Sequence, residues 1–107
     1  MGTQPMVIEW LKVRVEPELR EQYVQKDAAI WTTALSKYPG FLSKEVWISP
    51  DNLAEVVLVI HWESFEQWQA IPAAALEQIE AEFRRAMGDT YTIVESVKYQ
   101  VRKRFRA

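Results

Sequence analysis

The chain has 107 residues, no cysteine, one histidine, 49% hydrophobic and 26% charged residues, and a formal net charge of −2. That length supports one domain around a single core, and the composition is that of an ordinary globular protein. Disulfides, thiolate sites and multi-histidine metal centres are excluded, and no apolar run approaches the ~20 residues of a membrane span, so a cytoplasmic protein is expected.

Residues 1–5 carry no pattern and read as a disordered extension. Val7–Val15 then alternates, with Val7, Glu9, Leu11, Val13 and Val15 on one face and Ile8, Trp10, Lys12 and Arg14 on the other. That period predicts a strand. Glu16-Pro17-Glu18 opens a helix, with proline in a permitted first-turn position and acids near the positive end of the dipole. It runs to about Lys37 and stops at Tyr38-Pro39-Gly40. At ~100° per residue, Leu19, Tyr23, Val24, Ile30, Trp31, Ala34 and Leu35 share one broad face. Asp27 falls near its middle, four residues from both Tyr23 and Trp31.

Phe41–Ser49 reads as the second strand, with Leu42, Lys44, Val46 and Ile48 opposite Ser43, Glu45 and Trp47. Pro50-Asp51-Asn52 is turn chemistry, so the next strand forms an antiparallel hairpin with it. That strand, Glu55–Trp62, holds the unbroken run Val56–Ile60, which suits a strand covered on both faces. His61 and Trp62 end it on opposite faces. Ser64 and Gln67 fit a capping box for a helix carrying Phe65, Trp68 and Ile71. Pro72 breaks that helix. A longer segment follows to Met87, striped by Ala75, Leu76, Ile79, Phe83, Ala86 and Met87, with Gly88 as its stop. Tyr91–Val101 is the last strand, with Tyr91, Ile93, Glu95, Val97, Tyr99 and Val101 expected on one face. Residues 102–107 form a basic tail, read as a solvated terminus rather than a nucleic-acid or membrane site.

The order β-α-β-β-α-β predicts a single ferredoxin-like α+β domain over residues 6–101, an antiparallel sheet with both helices on one face. Two helices cover one side of four strands. The other side carries Trp10 or Leu11 and Trp47 or Val46 with half of the Glu55–Trp62 strand, an apolar surface that marks an association site. A homodimer with apposed sheet faces is expected.

The element order, Tyr38-Pro39-Gly40-Phe41 and the run Ile60-His61-Trp62-Glu63-Ser64-Phe65-Glu66-Gln67-Trp68 resemble the dimeric α/β-barrel proteins, nearest the antibiotic biosynthesis monooxygenase-like group. With VIEWLKV near the start, Ile30-Trp31, KEVWI, Ala70-Ile71-Pro72 and YQVRK, the chain looks like a small uncharacterised family found mainly in cyanobacteria. The resemblance spans residues 6–104. It implies either a cofactor-independent oxygenase or a member without chemistry. Trp62 matches a tryptophan of the haem-degrading branch, but the iron-ligating histidine and the first-strand asparagine of that branch have no counterpart here. Haem oxygenation is not expected.

Two residues stand out as proton-transfer candidates, Asp27 and His61. A carboxyl on an apolar helix face needs a hydrogen-bond partner or a raised pKa; the plainer reading is a structural aspartate bonded to an indole N–H or a backbone amide. His61 titrates near neutral pH and suits acid–base work, or is a strand-end histidine satisfied at the dimer interface. Tyr23, Trp31, Trp62 and Trp68 are candidates to wall a pocket for a small aromatic ligand, or they simply fill the core. No Gly-rich phosphate loop or nucleophile elbow is present, and neither a cofactor nor a metal is expected. On the alternative reading the chain is a non-catalytic structural or interaction module with a filled pocket.

Overall fold

The computed structural model describes residues 5–106; four of the five residues expected to be disordered, and Ala107 at the tail's end, lie outside them. The strands are β1 (Val7–Val15), β2 (Phe41–Ile48), β3 (Glu55–Trp62) and β4 (Tyr91–Gln100). They form one sheet in the order β2-β3-β1-β4, antiparallel throughout. The two strands richest in β-branched residues are thus central, where both edges are paired. This is the ferredoxin-like α+β fold that the element order predicts.

The first helical run changes pitch along its length. A 3-10 turn at Pro17–Leu19 leads into α1 (Arg20–Asp27), a π segment at Ala28–Thr32 and the single turn α2 (Thr33–Leu35). The pitch change has a geometric effect. In a regular α-helix, residues four apart drift by about 40° per step. The π segment closes i→i+5, winds each residue through a smaller angle and takes back part of that drift. Tyr23, Asp27, Trp31 and Leu35 therefore all line one cavity. The Arg20 guanidinium anchors the start of the run, donating to the Ser49 and Asn52 carbonyls of the β2–β3 turn at 3.0 Å each.

The second helical pair is α3 (Phe65–Gln69) and α4 (Ala73–Met87), separated at Pro72. Ser64 caps α3: its Oγ accepts from the Gln67 backbone N–H at 3.2 Å and donates to Gln67 Oε1 at 3.1 Å. The turn before β2 presses against this cap. Gly40 sits at φ +93°, and a Cβ there would lie 2.5 Å from Gln67 Cβ. Only glycine meets both demands.

Two bulges alter the alternation read from the sequence. β1 pairs Val13 with Ile93 but Lys12 with Glu95, leaving Val94 as an extra residue. Directly opposed residues share a face, so Tyr91 and Ile93 point to the helices while Glu95, Val97 and Tyr99 point away. The single apolar face expected for β4 is thus divided, because one inserted residue inverts every side chain beyond it. In β2 the register slips between Phe41 and Ser43. Phe41 takes the core position, edge-on to Trp62 at 5.7 Å. Leu42, grouped by alternation with Lys44 and Val46, is exposed.

The core lies between sheet and helices. Val13, Val15, Val56, Leu58 and Ile60 pack under Tyr23, Phe83, Tyr91 and Met87. Tyr23, Phe83 and Tyr91 form a mutual edge-to-face triangle with centroids 5.1–5.6 Å apart, the arrangement ring quadrupoles favour. The outer sheet face carries Ile8, Trp10, Trp47, Val57, Val59, Val97 and Tyr99, with Trp47 and Tyr99 about half exposed. No helix among the described residues is long and apolar enough to cross a membrane.

Candidate functional site

A cavity of about 210 Å³ lies between α1, the π segment and α4 on one side and the sheet on the other. Its walls are mostly apolar: Leu11, Leu58 and Ile60 from the central strands, Leu35, Ile71 and Leu76 from the helical side. Tyr23, Trp31, Trp62 and Trp68 all line it. Trp62 is fully buried, whereas Trp31 and Trp68 are partly exposed and stand toward solvent.

One end of this apolar space is charged. Asp27, with no exposed surface, lies 2.7 Å from Lys44 Nζ, whose side chain is 3% exposed. Burial raises the Asp27 carboxyl above the ordinary carboxylate range, and the adjacent ammonium offsets part of that rise. Asp27 Oδ1 accepts no hydrogen bond from a described residue. Glu9 lines the same cavity from the central strand β1. Its Oε1 accepts from Trp62 Nε1 at 3.3 Å. Burial pushes the Glu9 carboxyl up as well, opposed by the indole hydrogen bond and by Lys44. Lys44 thus pairs with the buried Asp27 and acts through its charge on the partly buried Glu9, and the three come from elements that meet only in the folded chain.

A second polar group closes the far side. Tyr91 donates its hydroxyl to Glu80 Oε2 at 2.7 Å, and Arg84 reaches the same oxygen at 3.2 Å while stacking over the Tyr91 ring. Here one carboxylate oxygen is held by its own neighbours.

His61 is elsewhere. It lies on the outer sheet face, its Nε2 3.7 Å from Glu45 Oε2 and without a hydrogen bond. The sheet separates it from Asp27, so the two proton-transfer candidates do not share a site. Asp27 does not bond an indole, as its structural reading supposed; its partner is Lys44, and the indole of Trp62 bonds Glu9 instead. Both missed residues left a trace. Glu9 and Lys44 each interrupt the apolar side of an alternating strand, and a charge in that position has to be paired or functional. Among the described residues no cluster of three histidine, cysteine, aspartate or glutamate side chains could hold a metal ion.

The model of the antibiotic biosynthesis monooxygenase family matches residues 6–87. No curated protein matches. Among solved structures, SnoaB, a cofactor-independent oxygenase from Streptomyces nogalater, superposes with a TM-score of 0.69 at 18% identity, covering 96% of this chain and 99% of its own. A conserved protein of unknown function from Bacteroides thetaiotaomicron gives 0.68 at 16% identity, with 91% and 98% covered. A conserved protein from Methanosarcina mazei gives 0.64 at 15%, with 91% and 93% covered. At such identities these structures establish the shared fold and leave the chemistry to the residues. The matched model spans β1 to β3 and every helix, and the chain belongs to the antibiotic biosynthesis monooxygenase family.

Proposed function

We propose that the chain is a homodimer in which each protomer binds a small, largely apolar ring compound in the cavity between helices and sheet, and acts on it as a cofactor-independent oxygenase. The observation that carries this reading is an aromatic-walled cavity of about 210 Å³ with Glu9, Lys44 and Asp27 at one end. An engineered cavity of about 150 Å³ accepts benzene, so this one suits one or two rings. A tetrapyrrole is several times too bulky. Dimerisation is supported by the outer face, where Trp47 and Tyr99 stand about half exposed beside Trp10, Val57 and Val59. Such a surface is costly to leave in water.

In oxygenation without a cofactor the substrate supplies the electrons. An activated CH₂ beside a phenol or enol loses two hydrogens, one atom of O₂ becomes the new carbonyl oxygen, and the other leaves as water. The protein's part is to hold the ring, exclude water and accept the first proton at a carboxylate lining the cavity. A non-catalytic module is the competing reading, favoured by one observation: the Asp27–Lys44 pair is closed on itself at 2.7 Å. Native mass spectrometry of protein purified from its own host tests the proposal. A dimer retaining a compound of one or two rings is expected; a monomer, or a dimer retaining nothing and binding no such compound when supplied, overturns it.

A further inference from the structure

Three acids line the cavity, but they differ in what a bound molecule can reach. Asp27 has no exposed surface, and its Oδ2 lies 2.7 Å from Lys44 Nζ. Its unpartnered Oδ1 is buried as well, so a ligand reaches neither oxygen unless a side chain moves. Glu80 already has a cation and a strong donor on one oxygen: its Oε2 takes both the Tyr91 hydroxyl and the Arg84 guanidinium. Glu9 is different. It is only partly buried, and its one hydrogen-bond partner among the described residues is the neutral Trp62 indole, on Oε1 at 3.3 Å. It stands on the central strand β1, opposite Ile60 of β3 and Lys98 of β4, and the Lys98 Nζ is turned over the Phe65 ring instead. The carboxylate therefore has acceptor capacity to spare, on a strand paired along both edges.

We propose that Glu9 is the ligand-facing acceptor, selecting ring compounds that carry an acidic O–H or N–H donor, and that Asp27 is a positioning residue holding Lys44 beside it. This deepens the binding reading above and rests on it. An ionised acceptor rewards a donor more than a neutral one does. It also repels a carboxylate, since the cation that acts on Glu9, Lys44, is already bound to Asp27, and Lys98 is turned over the Phe65 ring. The ligand class is thus a small phenol, enol or azole, not its ether or its carboxylate analogue.

The test uses three two-ring probes of similar size, 1-naphthol, 1-methoxynaphthalene and 1-naphthoate, titrated calorimetrically into the wild-type protein, Glu9→Gln and the double variant Asp27→Asn/Lys44→Met. The double variant avoids stranding a lone buried charge. Wild type is expected to prefer 1-naphthol over the ether by about tenfold or more, the scale of a charge-assisted hydrogen bond, and to bind 1-naphthoate weakest. In Glu9→Gln that preference should shrink to about threefold or less, because a neutral acceptor is roughly half as strong. The double variant should keep a measurable preference. Should Glu9→Gln fail to fold, Glu9→Met replaces it, and the wild-type preference is decisive by itself. Binding of all three probes without discrimination overturns the role of Glu9 and leaves the binding reading standing. Loss of preference in the double variant but not in Glu9→Gln assigns the role to Asp27 and overturns the inference. Binding of none overturns the binding reading and the inference with it.

Discussion

Replacing Lys44 with methionine isolates the buried ion pair. Methionine keeps most of the apolar stem and removes the ammonium, leaving Asp27 with no exposed surface and no cation. Breaking a buried pair from one side costs about 3–5 kcal/mol. For a domain of this size that is a fall in Tm of roughly 15–30 °C. The loss should depend on pH. Burial already raises the Asp27 carboxyl in the native protein, with Lys44 opposing it; without Lys44 the rise is larger. The folded variant then binds more protons than the unfolded chain, so stability falls as pH increases. The deficit relative to wild type is smallest below the unfolded carboxylate pKa of ~3.9 and grows as pH rises through the folded value. The assay is urea unfolding followed by tryptophan fluorescence at pH 5 and pH 8, at fixed protein concentration so that the proposed association contributes equally. Asp27→Asn/Lys44→Met should recover most of the loss, since replacing both partners is often near neutral, and the double-mutant cycle gives the coupling. A Lys44→Met cost below about 1 kcal/mol, equal at the two pH values, would show a solvated pair and refute the reasoning.

Other outcomes follow from packing. Gly40→Ala should cost at least about 2 kcal/mol, combining a strained positive φ with the 2.5 Å approach to Gln67 Cβ. Gly88→Ala should cost less, because its Cβ meets nothing within 4 Å and only backbone strain remains; equal losses in thermal unfolding would contradict this account. Phe83→Ala should destabilise by about 3–5 kcal/mol, since the ring is fully buried and touches both Tyr23 and Tyr91. Trp47→Glu places a charge on the outer sheet face. If the proposed dimer forms through this face, sedimentation should show the variant as a monomer beside a dimeric wild type, and an unchanged dimer would place the interface elsewhere.

Period, punctuation and composition sufficed for the element order. The alternation of Val7–Val15, the apolar run Val56–Ile60, the Ser64–Gln67 cap and the break at Pro72 are local signals, and each element stands where they put it. The same periodicity brought Asp27 to an apolar helix face beside Tyr23 and Trp31, which is where the cavity lies. Pairing was beyond reach. That Asp27 meets Lys44 and Trp62 meets Glu9 depends on strand order and on a π segment that re-aims one helix. No repeat within the chain encodes either one. The two bulges, which send Phe41 inward, Leu42 outward and Val97 and Tyr99 to the outer face, have the same origin. One inserted residue costs little locally and reverses a whole face, so it is settled by the packing of distant side chains. Local chemistry sets which elements form; only their packing decides which charges are left facing the cavity.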